Sequence, residues 1–352
     1  MRLAALPAAL LLIAPASSGS GGAPPAPPLA SLLRLPLGPS EAGLFISPVR
    51  YNHSLLGPAF TPDAPSGWYL TQWSATQQLN ASDAVAGPAP GNGPCGAGAG
   101  ESFQTLWHAS AADQLVCVQR SGGGGGAGAL ALLVLQDGSH LPCGAEFDSF
   151  ISPTDGAYAN PPLKNMVEAP LGGASGVGDS LRARFTLELL AFAPSPRCGP
   201  RGSCGPSGQL DYGYLTLGLT LGSSAGETIF YQVALADTRS APACPGSDTC
   251  RQWSDWFSTS EPLGVTDSIA FLDGADGGCL QPGAGARSYD LPVGPRLLAV
   301  VAYAAAHFNT SANASAWSLG GVYVGAGMEG STIAQLRISE VDLVYARGAG
   351  AR

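Results

Sequence analysis

The amino-acid sequence predicts an all-β protein, built as an antiparallel two-sheet β-sandwich. Many short segments alternate apolar and polar residues with a period of two, the pattern of strands that bury one face. The chain also contains 49 glycines and 30 prolines, which disfavour long helices and favour strands joined by tight turns. The sequence shows neither regular alternation of strands with helices nor a repeat of fixed length, which argues against a doubly wound sheet and a propeller.

The clearest strands are Leu181–Leu189 and Leu215–Leu221, in which leucines alternate with polar residues or glycine. Ala129–Gln136 and Ile229–Ala236 are more uniformly apolar, which predicts central strands of a sheet. Further strands are predicted at Leu44–Tyr51, Trp68–Gln77, Phe103–Ser110, Gln114–Gln119, Gly144–Ile151, Arg251–Phe257, Ser268–Leu272 and Val322–Gly325.

In the last predicted strand region, the apolar residues shift from even-numbered to odd-numbered positions. Ala334, Leu336 and Ile338 share one face, and so do Val341, Leu343 and Tyr345, but the alternation slips at Ser339-Glu340. An extra residue of this kind predicts a β-bulge.

One helix is predicted at Pro295–Phe308. Proline suits the first helical position, and Leu297, Leu298, Val301, Ala305 and Phe308 fall on one helical stripe. We therefore expect a sandwich of the jelly-roll or concanavalin-like type with this one short helix.

The N-terminus has the pattern of a secretory signal peptide. Arg2 precedes an apolar run of about a dozen residues, and Ala14-Pro15-Ala16 matches the small-residue cleavage site. We predict a signal peptide at 1–18, a Pro/Gly-rich disordered linker at 19–42, a single β-sandwich domain at 43–346 and a disordered tail at 347–352. The expected location is secreted and extracellular.

The charge balance limits the partners. The net charge is −9, and the sequence contains no basic cluster, so nucleic acid is not expected as a partner. No second apolar stretch is long enough to form a transmembrane segment. The sequence does not indicate an oligomeric state.

The eight cysteines predict disulfides in an oxidising compartment. Cys198 and Cys204, and likewise Cys244 and Cys250, are separated by five residues rich in Gly, Pro and Ser, which predicts two local disulfides. The pairing of Cys95, Cys117, Cys143 and Cys279 stays open at this stage.

Four sequons predict N-glycosylation at surface positions. They lie at Asn52, Asn80, Asn309 and Asn313.

Glu146 and Asp148 are the candidate catalytic residues. Two carboxylates at i and i+2 of a strand lie on the same face, and such pairs can divide the acid and nucleophile roles in glycoside hydrolysis. Glu146-Phe147-Asp148 resembles part of the E-x-D-x-x-E signature of concanavalin-like β-glucanases. The resemblance covers two residues of the signature, and the third glutamate is missing. It implies glycoside-cleaving chemistry, whereas the alternative is two solvated carboxylates on a wet face.

A second resemblance has the residues in the wrong order. Gly178-Asp179-Ser180-Leu181 matches the letters of the GDSL lipase family, but Asp137 and His140, the only D-x-x-H pattern, precede the serine. We therefore expect Ser180 to open a strand and not to act as a nucleophile.

An aspartate-rich segment is the candidate metal site. Asp267, Asp273 and Asp276 lie in and around an Asp-Gly-rich turn, and oxygen-rich turns of this kind can bind Ca²⁺. The alternative is an ordinary Asp-Gly turn without metal. No other cofactor is expected, and the four histidines are scattered.

Aromatic residues are the candidate ligand-binding residues. Tyr69 and Trp73 share one face of a predicted strand, and Trp253 and Trp256 lie close together beside Cys250. Flat aromatic rings stack on sugar rings, although buried aromatics are also common in sandwich cores.

Three functions fit these observations. The first is a carbohydrate-binding or cell-surface recognition protein whose partner is a glycan or a cell-surface molecule. The second is a polysaccharide-active enzyme, a glycoside hydrolase or lyase, that uses Glu146 and Asp148. The third is a structural extracellular matrix or wall protein. Fold class alone does not choose between them.

Overall fold

The structure is a computed structural model of the 352-residue chain. It describes residues 28–33, 46–50, 67–73, 79, 84–86, 95, 101–106, 114–120, 130–139, 146–154, 169–173, 176–194, 212–237, 256–258, 263–268, 280, 282–329 and 332–346.

Seventeen strands and one helix make up the described part of the chain. The strands are β1 (Leu29–Ser31), β2 (Ile46–Arg50), β3 (Gly67–Trp73), β4 (Ala84–Ala86), β5 (Glu101–Leu106), β6 (Gln114–Arg120), β7 (Leu130–Asp137), β8 (Glu146–Thr154), β9 (Ala169–Pro170), β10 (Arg182–Pro194), β11 (Tyr212–Ser223), β12 (Thr228–Asp237), β13 (Trp256–Ser258), β14 (Leu263–Ser268), β15 (Arg287–Leu291), β16 (Trp317–Glu329) and β17 (Thr332–Ala346). The helix α1 spans Val293–Phe308, and a short 3-10 turn covers Ala314–Ala316.

The strands form two sheets, which confirms the predicted fold class. The eight-stranded sheet has the order β15-β10-β17-β7-β6-β5-β4, and β1 pairs with β17. The nine-stranded sheet has the order β13-β14-β12-β11-β16-β8-β3-β2, and β9 pairs with β16. The described strand pairs are antiparallel except for β2 with β3 and β12 with β14, which are parallel. β14 begins at Leu263, upstream of the predicted Ser268–Leu272.

The hydrophobic core lies between the sheets because each long strand buries every second residue. On β10 the buried residues include Phe185 and Leu187, and on β11 they include Leu217 and Leu219. These residues belong to one apolar cluster, to which α1 also contributes. The alternation that predicted β10 and β11 therefore marks the faces that the two sheets turn toward each other.

The predicted bulge in β17 is present. Thr186 of β10 pairs with Glu340, but Leu187 pairs with Ile338, so Ser339 is the extra residue. The bulge keeps apolar residues on the core side before and after it.

Helix α1 begins two residues earlier than predicted. Pro295 is its third residue, where the missing N–H is still one that has no partner within the helix. The amide N–H of Gly294 donates to the carbonyl oxygen of Leu181, which attaches the start of the helix to β10. Among the described residues, no helix is long and apolar enough to cross a membrane, and α1 itself has only 16 residues.

The structure places a strand inside the segment predicted as a linker. Leu29–Ser31 pairs with the end of β17, and the amide of Leu32 donates to the carbonyl of Leu343 at 2.7 Å. Leu33 is buried. The composition of 19–42 misses this strand because three residues that pair with a distant strand leave no local periodic signal. The signal peptide and the tail at 347–352 lie outside the described residues.

One disulfide joins Cys95 and Cys117, with Cα atoms 6.1 Å apart. Both cysteines are buried with Leu115 and Leu133 in a small apolar cluster separate from the main core. This bond settles one pairing that the sequence leaves open. The predicted pairs Cys198–Cys204 and Cys244–Cys250, together with Cys143 and Cys279, lie outside the described residues.

The other face of β10 is polar and solvated. Arg182 and Arg184 both bind the Asp290 carboxylate, and Arg337 pairs with Glu188. These ion pairs are partly exposed, so each contributes about 1 kcal/mol or less. This part of the eight-stranded sheet faces water.

Candidate functional site

The candidate site is the surface of the nine-stranded sheet that faces away from the core, which we call the outer face. It consists of the residues that alternate with those of the main core. The described side chains on it are Asp148, Phe150 and Ser152 of β8, Tyr214, Thr216 and Thr220 of β11, Phe230 and Gln232 of β12, and Tyr323 of β16. On this face Asp148, Phe150, Ser152, Thr216 and Thr220 are also buried, whereas Tyr214, Phe230, Gln232 and Tyr323 are partly exposed. Aromatic rings and uncharged polar groups therefore dominate this surface, in contrast to the ion-paired face of β10.

Glycines let aromatic rings lie close against the outer face. Tyr323 pairs with Gly218, and Tyr214 pairs with Gly327. A methyl group on Gly218 would overlap the ring of Tyr323, and one on Gly327 would overlap the ring of Tyr214. Each tyrosine thus lies across the neighbouring strand, in space that only glycine leaves open.

A third ring, Phe150, lies on the neighbouring strand. Phe150 of β8 pairs with Gly325, where an added methyl group would overlap the backbone of β8 at the Ser149 carbonyl oxygen and the Phe150 Cα atom. Phe150 also makes an edge contact with Tyr323, with ring centroids 5.1 Å apart. The three rings therefore share one area of the outer face.

A carboxylate and a hydroxyl converge above Gly327. A methyl group there would overlap both Asp148 Oδ1 and the Tyr214 hydroxyl, so these two groups lie on the same side of that glycine. Asp148 is only 8% exposed. A carboxylate this deeply buried requires hydrogen-bond partners to offset its desolvation.

Tyr323 links the centre of the outer face to β12. Its hydroxyl accepts a hydrogen bond of 3.0 Å from Gln232 Nε2. Burial raises the pKa of Tyr323 well above its ordinary value of 10.0, the Gln232 hydrogen bond lowers it, and the charge of Asp148 raises it further. Tyr323 is therefore neutral at physiological pH.

The register places both predicted catalytic carboxylates on this face. Asp148 pairs with Gly327, and Glu146 pairs with Glu329. Because paired residues share a face, Glu146 and Glu329 lie directly opposite each other, two residues from Asp148. A third carboxylic residue, Glu329 of β16, is therefore placed by the register in the same part of the sheet.

Two of the predicted ligand-binding aromatics lie beside these residues. Trp73 of β3 pairs with Asp148, and Tyr69 pairs with Ser152. One row across four strands therefore contains Trp73, Asp148, Gly327 and Tyr214. The placement of β3 brings the aromatic and carboxylate candidates to the same area of the sheet.

Trp256 has a different position. It pairs with Val265, which pairs in turn with the buried core residue Tyr231. The register therefore places Trp256 in the row of Tyr231, on the edge strand β13 of the nine-stranded sheet. Trp253 lies outside the described residues.

The predicted calcium site is described only in part. Asp267 lies in β14 and pairs with Val233, whereas Asp273 and Asp276 are outside the described residues. Within the described residues, no group of three or more His, Cys, Asp or Glu side chains is arranged to hold a metal ion.

Two of the predicted glycosylation sites lie near the end of α1. Asn309 is exposed and caps the helix in the left-handed conformation, with φ 57°. Asn313 is also exposed, and its side-chain oxygen accepts a hydrogen bond of 3.0 Å from the amide of Ser315. Asn52 and Asn80 are outside the described residues, and glycosylation of all four stays a prediction.

The segment 178–181, which matches the GDSL pattern, makes contacts that stabilise the fold. Gly178 sits where a methyl group would collide with the carbonyl of Leu171, and the Ser180 hydroxyl accepts a hydrogen bond of 3.2 Å from the amide of Ala346. Asp179 lies in an exposed turn. Ser180 lies in the turn at 178–180, two residues before β10 begins at Arg182, and not at the first position of the strand as expected.

Four residues of this part of the sheet are not predicted from the sequence: Tyr214, Tyr323, Gln232 and Glu329. A signal for the first two exists in the sequence, because the polar face of β11 and the Gly-rich stretch of β16 each combine tyrosine with glycine at alternate positions. Glycine inside a strand often marks a close approach of another group. Glu329 and Gln232 carry no local signal, since their importance depends on which strands are neighbours.

Comparisons with known proteins give a likeness of fold only. No protein-family model matches the sequence, and no curated protein matches it significantly. Among solved structures, the endoglucanase Cel12A from Rhodothermus marinus is 10% identical with a TM-score of 0.34, over 70% of this chain and 92% of that one. A family 12 xyloglucanase from Bacillus licheniformis is 8% identical with a TM-score of 0.33, over 75% and 100%. At these values the likeness carries no argument about function.

Proposed function

We propose that the chain binds a neutral glycan on the outer face of the nine-stranded sheet. The observation that carries the proposal is the row in which the ring of Tyr214 lies across Gly327 beside the carboxylate of Asp148. A partly exposed ring next to a hydrogen-bonding carboxylate is suited to a sugar, which has an apolar ring face and a rim of hydroxyl groups.

The charge of the chain supports a neutral ligand. The net charge is −9, and Asp148, Glu146 and Glu329 lie on or at the end of the outer face. An anionic glycan would be repelled, whereas the hydroxyls of a neutral glycan can donate to carboxylates.

A secreted location belongs to the same proposal. The signal-like N-terminus and the Cys95–Cys117 disulfide support it, because disulfides persist in oxidising compartments. Extracellular glycans would then be accessible to the outer face.

Calorimetric titration of the secreted protein with neutral β-glucans and other neutral oligosaccharides tests the proposal. We expect saturable binding that Tyr214→Ala weakens several-fold, because the stacked ring is lost. Tyr303→Ala is the matched control, since Tyr303 is also half-buried but lies on α1, away from the outer face. If no neutral glycan binds, or if both variants bind as the unmodified protein does, the proposal is wrong.

The second candidate function is glycoside hydrolysis, which the pairing of Glu146 with Glu329 favours. Residues directly opposite in antiparallel strands have Cβ atoms about 4.5–5.5 Å apart. In retaining glycosidases two carboxyl groups on neighbouring positions act as acid and nucleophile, and Glu146 and Glu329 are two carboxylic residues at paired backbone positions.

The release of reducing ends from β-glucans tests this second candidate. We expect Glu146→Gln and Glu329→Gln each to reduce the rate by at least a hundredfold while glycan binding survives, and Glu188→Gln serves as a control on the other sheet. If the chain binds glycans without hydrolysing them, the hydrolytic function is wrong and the recognition function stands. A chain that neither binds nor cleaves would be left with the structural role in a matrix or wall.

A further inference from the structure

The two tyrosines of the outer face form a reciprocal arrangement. Tyr214 of β11 lies across Gly327 of β16, and Tyr323 of β16 lies across Gly218 of β11. Because the strands are antiparallel, each contributes one ring and one glycine, and a local two-fold axis relates the two pairs. The outer face therefore has two similar ring positions.

The spacing of the two rings follows from the register. Tyr214 and Gly218 are four residues apart on β11, and Tyr323 and Gly327 are four apart on β16. At about 3.4 Å per residue, the two ring positions are roughly 14 Å apart along the strands. This distance is longer than a single sugar ring.

The row between the two rings contains only small residues of β11 and β16. Thr216 and Gly325 occupy the intermediate row, and the Thr216 hydroxyl donates to the carbonyl of Val233 at 3.2 Å. Phe150 pairs with Gly325 and makes an edge contact with Tyr323. The floor between the two rings is thus largely apolar and its polar group is already satisfied.

The two positions differ in the polar group beside the ring. Asp148 lies beside Tyr214, and Gln232 binds the hydroxyl of Tyr323. On β3, Trp73 lies in the row of Tyr214, and Tyr69 is four residues away toward the Tyr323 end. The strand next to β8 therefore repeats the four-residue spacing of aromatic residues.

We infer that the ligand is an extended oligosaccharide that lies parallel to β11 and β16 and stacks on Tyr214 and Tyr323 at the same time. This inference rests on the proposed glycan binding and adds the direction and the minimum length of the ligand. A chain that reaches both rings makes the second contact intramolecularly, so its affinity exceeds that of a chain that reaches one.

A length series tests the inference on the unmodified protein. The probes are β-1,4-linked glucose oligomers of one to six units, and calorimetry gives Kd for each. We expect a weak, nearly constant affinity for the shortest probes and an increase of about tenfold at the length that spans both rings, because aromatic contacts of this kind typically contribute that much. An affinity that reaches its full value with the disaccharide overturns the inference.

Variants then separate the two ring positions. Tyr214→Ala and Tyr323→Ala should each lower the affinity for the longest probe about tenfold, to the level of the short probes. Gly327→Ala and Gly218→Ala should also lower this affinity, because the added methyl group displaces the ring of Tyr214 or of Tyr323, respectively. Tyr303→Ala is the control, and thermal melting confirms that each variant is folded. If Tyr214→Ala weakens binding and Tyr323→Ala does not, the ligand occupies one ring only and the inference fails, although the proposed glycan binding stands. If no probe and no other neutral glycan binds, the proposed function itself fails.

Discussion

A buried glutamine in the core gives a sharp stability prediction. Gln136 lies on β7 on the side of Leu132 and Val134, with 0% exposure, and within the described part of the chain neither its Oε1 nor its Nε2 atom has a hydrogen-bond partner. A buried polar group without a partner costs about 1–3 kcal/mol. Gln136→Met keeps the unbranched shape and removes that cost, and a volume-conserving exchange of this kind introduces less than about 1.5 kcal/mol of strain.

We therefore expect Gln136→Met to raise the free energy of unfolding by about 1–2 kcal/mol after strain is subtracted. Urea denaturation with an unchanged slope measures this gain, and calorimetry should show a Tm increase of roughly 2–4 °C per kcal/mol. Gln335→Met on the neighbouring strand is the control, because Gln335 is only half-buried and should change stability by less than about 0.5 kcal/mol. A loss of more than about 1 kcal/mol for Gln136→Met would refute the reasoning and indicate that a buried water satisfies the amide.

Two further predictions concern the disulfide and a half-buried carboxylate. Replacing Cys95 and Cys117 together by alanine should lower stability by about 3 kcal/mol in urea denaturation, because the bond closes a loop of 22 residues; peptide mapping that finds Cys95 bonded elsewhere would contradict this. Burial raises the pKa of Asp342 above 3.8, and it outweighs the hydrogen bonds that the Ser31 hydroxyl and the Leu343 amide donate to this carboxylate, which lower the pKa. Of the nearby charges, Glu340 raises the pKa and Arg184 lowers it. The folded state therefore prefers the protonated form, and stability falls as the pH rises through this pKa. Asp342→Asn should accordingly become more stable relative to the unmodified protein between acidic and neutral pH, and a difference that is constant with pH would show that this carboxyl is not shifted.

Local patterns predict individual strands because burial of one face requires alternation. The alternation of leucines in β10 and β11, the bulge at Ser339 and most of α1 are all confirmed, since each depends on residues close together in sequence. The start of α1 differs by two residues because proline fits several positions of the first turn equally well.

Strand pairing is not visible in the sequence in the same way. Nothing local in Glu329 indicates that it lies opposite Glu146, and nothing in Tyr323 indicates that Gly218 leaves room for its ring. The parallel pairing of β12 with β14 and the bond between Cys95 and Cys117 likewise join distant segments. The carboxylates of β8 and the aromatics of β3 are predicted from residue type and spacing within each strand, whereas their common position depends on the order of strands in the sheet.

The strand order also has a consequence for biosynthesis. β17 lies between β10 and β7 in one sheet, and β16 lies between β11 and β8 in the other, yet these are the last two of the described strands to leave the ribosome. Until they emerge, each sheet consists of two halves with unpaired edges and no strand to join them. Folding is therefore expected to be completed only after synthesis of β17, to be slow because its contacts are distant, and to need protection from aggregation during that interval.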